Sequence, residues 1–374
     1  MIPVYFDDIE SAAKDRQRIA EIRDGIRTKF SEFFNAKGYQ RHAPGNLVPE
    51  NDTSVLFTGS TISTFKPYLS GSPIPDGGLY MIQSCLRTQN TRILDNDQKP
   101  QWTSYFSSTG ALTPYEKIDV LSEQAWQFFT DYLGIPSDRV KIRIASKDID
   151  LLNHWKAASL DHVLEYDVND PVYYTHKFGM DNVAGRNCNM AIVDHKTGAL
   201  RDIGNIIVIE TPDQKLGAEI AFGVETIVSR ILGLSNPIEA SLIADIVPRK
   251  NEYSLKLADC ISSSLVILDA GERPVATNRG RVLRKYMQGV SDLRHKADVS
   301  IDEIQKYASD FEVREFGVQS DLPSKIAEYV TKFEEAQAKG FKPEKVNAEA
   351  SAVFPLEAGQ RQSRVSLSSR FEPA

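Results

Sequence analysis

The change of hydrophobic pattern near Pro237 constrains the fold more than any other feature of this sequence. Before Pro237, helix-like segments alternate with short strand-like runs. Beyond it, apolar residues recur at three- and four-residue steps in segments 255–268, 279–288, 301–309 and 324–339. Such steps are typical of amphipathic helices, so the second part of the chain is predicted to be helical throughout.

Mixed strands and helices followed by helices alone indicate an α+β domain with a helical domain appended. We therefore predict an α+β fold in which residues 1–240 form the first domain and residues 241–347 form an all-α domain. The tail 348–374 is rich in Ser, Arg, Glu and Ala without an apolar period, and this composition predicts disorder.

Within the first domain, Ile and Phe recur at helical spacing between Ile19 and Phe34, and Gly38 is a plausible C-terminal stop. Strand-like runs at 79–86 and 102–107 flank the polar segment 88–101, which indicates a long hairpin loop. Further predicted elements are a helix at 122–133 and strands at 140–145, 190–193 and 203–210.

Composition argues against several classes of protein. The 374 residues carry a net charge of -7, and the three cysteines and six histidines are scattered. They fit neither a disulfide framework nor a zinc site, so no metal held by the protein alone is expected. No run approaches the ~18 apolar residues of a membrane span, and the N-terminus lacks the layout of a signal peptide. We expect a cytoplasmic protein without a membrane partner.

The acidic balance also argues against a general nucleic-acid coat, which carries a basic excess. A local basic face is nevertheless indicated, because five cations lie within thirteen residues: Arg273, Arg279, Arg281, Arg284 and Lys285.

The segment IRTKFSEFFNAKGYQRHAPGNLVPENDTSVLFTGSTISTFKPYL resembles the first signature region of alanyl-tRNA synthetases. The order and spacing of FF-x-x-KG, LVP, LF-T and FK-P carry the resemblance. It implies the catalytic core of a class II aminoacyl-tRNA synthetase, an antiparallel sheet flanked by helices and followed by an all-α domain that recognises the tRNA acceptor stem. The resemblance covers about residues 15–340, and the family's editing and C-terminal domains have no counterpart in the sequence.

The segment QSCLRTQNTRILDNDQKPQWTSYFSSTGALTPYEK resembles the family's ATP hairpin. The resemblance implies that Arg87 binds the α-phosphate as the catalytic cation, that Phe106 stacks on adenine, and that ATP and Mg²⁺ are the cofactors. A planar, always-charged guanidinium suits the charge that develops on the α-phosphorus. Trp102 and Ser107 depart from the family, which has a histidine and a glutamate there. Taken alone, Arg87 would be an ordinary surface ion-pair partner and Phe106 a core residue.

The stretch AEIAFGVETIVSRIL resembles the third class II signature, with Gly223 and Glu225 in place. The resemblance assigns Glu225 to ATP binding. Thr226 stands where the family has an arginine for the γ-phosphate, and losing such a contact costs about 2–4 kcal/mol. Arg230, one helical turn later, is a possible replacement, but an ordinary helix ion pair is the favoured interpretation.

The amino-acid pocket implied by the resemblance also departs from the family. Asn205 occupies the position of the asparagine in the family's EIWNLVF strand, and Ile207 replaces a small valine. Glu219 occupies the place of the carboxylate that binds the substrate ammonium, one methylene longer. His176 stands where a tryptophan closes the pocket, and Ala221 replaces a glycine. These changes indicate an amino acid other than alanine, or a different use of the pocket.

The helical part resembles the family through KLADCISSSLVILDAGERPVATNRGRVLRKYM and FEVREFGVQSDLP. Arg279, Arg281, Arg284 and Arg314 are the residues expected to contact an RNA or other acceptor. The asparagine and aspartate with which the family reads a G:U pair in the acceptor stem are here Ala276 and Arg314, and neither offers the acceptor groups needed.

Three functions remain open at this point. The first is ATP-dependent activation of a small amino acid, as an aminoacyl adenylate, and its transfer to a non-standard acceptor such as a carrier, a metabolite or an unusual tRNA. The second is a catalytically silent relative that acts as a binding or regulatory module, which Thr226 and Ser107 favour. The third, a housekeeping alanine–tRNA ligase, is the least supported because both G:U readers are replaced. We favour the enzyme, since a silent module has no need of a carboxylate at Glu219.

Overall fold

The computed structural model describes residues 9–50, 52, 54–167 and 171–354. The strands are β1 (Gln40–Arg41), β2 (Leu79–Leu86), β3 (Tyr105–Thr113), β4 (Val140–Ala145), β5 (Leu164–Asp167), β6 (Thr175–Lys177), β7 (Ala184–Val193), β8 (Leu200–Glu210) and β9 (Lys215–Gly223). The helices are α1 (Ile9–Ala12), α2 (Arg16–Ala36), α3 (Ile62–Leu69), α4 (Ile118–Gln127), α5 (Ile149–Ala157), α6 (Val224–Ile231), α7 (Ser254–Asp269), α8 (Asn278–Lys296), α9 (Ile301–Phe316), α10 (Leu322–Ala338) and α11 (Pro343–Ser351).

The strands form one sheet in the order β1-β2-β3-β9-β8-β7-β4-β5, and β6 adds to the end of β7. In this order the pairs β2–β3, β3–β9, β9–β8, β8–β7 and β7–β4 are antiparallel. The edge pairs β1–β2 and β4–β5 are parallel. The predicted fold, a sheet flanked by helices and followed by a helical region, is confirmed, with the correction that the sheet is mixed at both edges.

Helix α2 covers one face of this sheet. Its apolar residues recur at helical spacing, and the carboxylate of Asp15 caps its first turn by accepting from the backbone N–H groups of Gln17 and Arg18. The ring of Phe30 meets the ring of Phe222 on β9 edge to face, 5.3 Å between centroids. Gly38 follows the helix at φ +84°, a conformation in which glycine carries no steric penalty, so the predicted stop is confirmed.

The helical region has its own apolar cluster, centred on α7, which is buried on almost all sides. Leu86 and Leu94 belong to this cluster, so the segment that follows β2 packs on the helical region. The apolar cluster between α2 and the sheet includes Ala240. The apolar cluster of the helical region includes Ile243 and residues after it in the sequence. The division of the chain into domains at residue 240 stays a prediction.

Two predictions near the C-terminus need comment. Helix α11 continues to Ser351, with Val346 and Ala350 buried, so residues 348–351 at the start of that tail are helical. The remainder of the predicted tail, 355–374, lies outside the described residues. Among the helices described, none is both long and apolar enough to span a bilayer.

Candidate functional site

A cavity of about 400 Å³ opens on the face of the sheet opposite α2. Because side chains alternate along a strand, Asn205 and Ile207 of β8 share this face with Ala221 and Glu219 of β9, which are their register partners. The floor of the cavity is therefore built from neighbouring positions on adjacent strands, which hold their side chains more rigidly than loops would.

The cavity brings together most of the residues that the sequence singled out. The predicted residues that line it are Arg87, Trp102, Phe106, His176, Asn205, Ile207, Glu219 and Ala221. Thr226 lines it as well. Their individual roles stay predictions. The fold brings them together in one cavity, which their residue types alone do not require.

Arg87 follows directly on β2. Its Nε donates to the carbonyl oxygen of Gly59 at 3.0 Å, and its guanidinium lies 5.1 Å from the centroid of the Phe106 ring. The side chain remains exposed to the cavity, while the surrounding protein lowers the pKa of the guanidinium by desolvation. Within the described residues Arg87 has no carboxylate partner, so its charge is available to an anion in the cavity.

Phe106 and Trp102 differ in exposure. Phe106 is 7% exposed and Trp102 is 43% exposed, ahead of the first residue of β3. Because Arg87 covers a face of the Phe106 ring, a purine that stacked on that same face would have to displace the guanidinium.

Glu219 is almost completely buried, with 1% of its surface exposed. The hydroxyl of Thr61 donates to Oε1 at 2.6 Å, and Oε2 has no hydrogen-bond partner among the described residues. Burial raises the pKa of this carboxyl to about 8. The approach of Thr61 requires Gly110 on β3, because a Cβ there would lie 2.2 Å from the Thr61 hydroxyl. One anchored and one unpaired carboxyl oxygen suit a cationic ligand group.

Two further polar side chains, His176 and Asn187, line the cavity where β6 and β7 pair. His176 on β6 adjoins Asn187 on β7, and neither His176 Nε2 nor Asn187 Oδ1 has a hydrogen-bond partner in the described chain. Burial lowers the pKa of the His176 imidazole, and the nearby positive charge of Arg87 also lowers it. The Asn187 side chain, which lies close to the imidazole without meeting the geometry of a full hydrogen bond, raises it.

Asn187, Asn189 and Asp202 were missed by the sequence analysis, although all three line the cavity. The available signal was the pair of asparagines two residues apart, next to the apolar end of the strand. Polar residues at that spacing share one face of a strand, and in a buried strand they need partners.

Glu225 does not line the cavity with the other predicted ATP-binding residues. It is buried, and it accepts from the Arg27 guanidinium at 3.0 Å and from the backbone N–H of Ser107 at 3.0 Å. Arg27 also donates to the Ser107 hydroxyl at 2.8 Å. These contacts tie α2, β3 and α6 together, so Glu225 stabilises the frame around the cavity.

Arg230 does not have the helix ion pair that the sequence analysis favoured. No ion pair of Arg230 occurs in the described part of the chain, and its Nε is buried without a partner. Burial and the nearby charge of Arg201 lower its pKa to about 10, against the smaller raising effects of Asp202 and Asp194. Arg230 is not among the residues that line the cavity. Among the described residues, Thr226 is the one residue of α6 that lines it.

The four arginines proposed for an acceptor lie on the helical region and outside the cavity lining. Arg279 donates to the backbone oxygen of Leu56 and pairs with Glu272 at 3.7 Å, so it is held in an internal contact. Arg281 and Arg314 are exposed, and Arg284 is half-buried. Across the described residues there is no cluster of three or more His, Cys, Asp or Glu side chains that could hold a metal.

The sequence of the chain is similar to those of known tRNA synthetases. Residues 25–171 match the family of class II (A) tRNA synthetases. The alanine–tRNA ligase of Carboxydothermus hydrogenoformans is 24% identical over 302 residues, which cover 70% of this chain and 34% of that ligase. The alanine–tRNA ligase of Treponema denticola is 32% identical over 142 residues, covering 37% of this chain and 23% of that ligase.

Among solved structures, the asparaginyl-tRNA synthetase of Pyrococcus horikoshii complexed with asparaginyl-adenylate is similar with a TM-score of 0.40 and 11% identity, over 63% of this chain and 68% of that one. The chain spans about a third of the length of the curated ligases it matches. The chain is thus similar to class II tRNA synthetases over residues 25–171, and to alanine–tRNA ligases over about 70% of its length.

Proposed function

We propose that the chain binds ATP and a small amino acid in the cavity on the sheet and joins them as an aminoacyl adenylate. The observation that carries the proposal is that one cavity contains both a guanidinium and a buried carboxyl. Among the described residues, the guanidinium has no carboxylate partner and one carboxyl oxygen has no hydrogen-bond partner. Arg87 suits the phosphates of ATP, and Glu219 suits the ammonium group of an amino acid.

The reaction would proceed by attack of the amino-acid carboxylate on the α-phosphorus of ATP. A bond forms between the carboxylate oxygen and that phosphorus, the bond to the bridging oxygen breaks, and pyrophosphate leaves with the electron pair. Arg87 would stabilise the negative charge that develops on the α-phosphate oxygens. Mg²⁺ would accompany ATP, held mainly by the phosphates, as is usual for this ion.

The acyl group would then pass to an acceptor that is not selected by a G:U pair. Ala276 and Arg314, which are exposed on the helical region, lack the acceptor groups needed at a guanine amino group. Exposed Arg281 and Arg314 could still contact phosphates, so a tRNA without that pair or another anionic acceptor suits this surface better.

A catalytically silent binding module is the second candidate, and Thr226 favours it. Thr226 lines the cavity where the resemblance places an arginine, and no cation from α6 joins it in the lining. A housekeeping alanine–tRNA ligase has the least support. Amino-acid-dependent exchange of pyrophosphate into ATP tests the proposal, because a silent module can bind the ligands but returns no label to ATP.

A further inference from the structure

Three buried polar atoms that belong to cavity-lining residues have no hydrogen-bond partner in the described chain: Glu219 Oε2, Asn187 Oδ1 and His176 Nε2. More than about nine in ten buried polar groups are paired in native proteins, so three unpaired ones in a single cavity indicate a ligand. An ammonium group accounts for Glu219. Asn187, which is 2% exposed, and His176 are not accounted for by the proposed reaction.

The orientation of the Asn187 amide is fixed by a chain of hydrogen bonds that starts at Asp202. Arg143 and Tyr173 donate to the Asp202 carboxylate at 2.9 and 2.7 Å. Asn189 Nδ2 donates to the same carboxylate at 3.0 Å, because a carboxylate can only accept. Asn189 Oδ1 therefore faces Asn187 and accepts from its Nδ2 at 2.5 Å.

The last member of this chain of hydrogen bonds, the Asn187 amide, leaves one acceptor for a ligand. Since the Asn187 nitrogen is used by Asn189, its Oδ1 is the atom left over, and it can only accept. Ile207, its register partner on β8, and Phe178 supply apolar walls close by. The subsite thus combines an acceptor of fixed direction, an imidazole nitrogen and an apolar flank.

We infer that the cavity selects a small amino acid whose side chain carries a hydrogen-bond donor, a hydroxyl or an amino group, and that Asn187 is the selecting residue. The inference rests on the proposed function, since it assumes that the ligand at Glu219 is an amino acid. A methyl side chain would occupy the subsite and leave Asn187 Oδ1 unpaired, which a site built for hydrogen bonding penalises strongly.

The test is calorimetric binding of isosteric pairs to the full chain without ATP. Serine against 2-aminobutyrate and threonine against valine differ only by a hydroxyl in place of a methyl, and 2,3-diaminopropionate offers an amino group in the same position. At least one donor-bearing member is expected to bind ten- to a hundredfold more tightly than its isostere and than alanine, about the worth of a good hydrogen bond. Equal or tighter binding of the apolar members, or no binding by any member at millimolar concentration, would overturn the inference.

A variant pair tests the role of Asn187. Asn187→Leu keeps the approximate size and removes the acceptor, so the ratio between isosteres should fall below about threefold. Asn35→Leu, at an exposed position of α2 outside the cavity lining, is the matched control and should keep the ratio. An unchanged ratio in Asn187→Leu would contradict the assignment, and if that variant does not fold the isosteric pairs still decide.

The inference and the proposed function fail in different ways. Discrimination in binding without any exchange of pyrophosphate into ATP would remove the proposed reaction and leave the selective amino-acid site. Exchange that is supported best by alanine or 2-aminobutyrate would leave the reaction and remove the donor-selective subsite.

Discussion

The Thr61 hydroxyl donates a 2.6 Å hydrogen bond to one carboxyl oxygen of Glu219, and the other oxygen of this buried carboxyl has no partner among the described residues. Gly110 makes the contact possible, because any side chain there would collide with Thr61. The carboxyl is thus held in place but is solvated too poorly to ionise at its usual pH, and burial raises its pKa to about 8.

Binding of an amino acid is expected to strengthen as the pH rises. Below pH 8 the Glu219 carboxyl is mostly protonated in the free protein, and an ammonium ligand favours its ionised form, so binding must release a proton. The apparent affinity should rise by up to about tenfold per pH unit between pH 6 and 8 and level off above it. Calorimetry in buffers of different ionisation enthalpy measures the released proton. Glu219→Gln should bind weakly and without this slope, and a slope that persists in the variant would point to another group.

Replacement of Arg87 is expected to abolish adenylate formation and to leave the fold intact. Arg87 is exposed to the cavity, and among the described residues its side chain contacts one backbone oxygen and the Phe106 ring. Arg87→Ala should lower the rate of adenylate formation at least a hundredfold, since removing one group that stabilises developing charge costs about 2.7–4 kcal/mol. The melting temperature should change little. Arg92→Ala, an exposed arginine of the same hairpin, is the control and should be active. An active Arg87→Ala protein would remove the assignment.

The helical region is expected to hold the segment between β2 and β3 through a buried carboxylate. Asp259 on α7 accepts from the backbone N–H of Ser104 at 2.8 Å, from the Ser104 hydroxyl at 2.5 Å and from the Asn90 amide at 2.8 Å. Burial raises the pKa of this carboxyl, and hydrogen bonds from Ser104, Asn90 and Thr103 oppose that effect. Asp259→Ala should lower the free energy of unfolding by about 3 kcal/mol, because it leaves buried donors unpaired.

Urea unfolding measures this loss, and Ser264→Ala is the matched control on the same helix. The Ser264 hydroxyl is buried without a partner in the described structure, so its removal should be neutral or stabilising. If the two alanine variants were equally stable, the hairpin would not depend on Asp259.

The sequence predicted those helices and strands whose pattern is carried by neighbouring residues in the chain. Strand β2 was predicted from its strand-like run and α2 from its helical spacing, and both β2 and β4 were predicted at their observed bounds. Helix α3 was missed because Pro67 lies inside it and argues against a helix. Strand β9 was missed because Gly217 and Ala218 interrupt its apolar alternation.

The candidate site shows the same limit. Residues that the family resemblance marks, such as Phe106 and Glu219, lie in the cavity together. The chain from Asp202 through Asn189 to Asn187 has no local signal, because it exists only where β7 and β8 pair across the sheet. Glu225 fits the motif, but its environment, a buried contact with Arg27, is set by α2, about 200 residues away in sequence.

RNA binding by the helical region is expected to be weak, salt-sensitive and indifferent to a G:U pair. Stem-loops that differ only at that pair should differ less than tenfold in affinity and in charging, since Ala276 has no group to read a base edge. Arg281→Ala should reduce the slope of log affinity against log salt by about one, as for loss of a phosphate contact. Arg279→Ala should change the slope less, because Arg279 is engaged by Leu56 and Glu272. A preference above tenfold for G:U would revive the housekeeping ligase.

The central claim, that this cavity makes an aminoacyl adenylate, is tested most directly by exchange of labelled pyrophosphate into ATP with a panel of amino acids. The account predicts exchange that requires an amino acid, is supported best by a member with a hydroxyl or amino side chain rather than by alanine, and is lost in Arg87→Ala while Arg92→Ala retains it. No exchange with any amino acid, from protein that binds both ATP and an amino acid, would contradict the claim and identify the chain as a silent binding module.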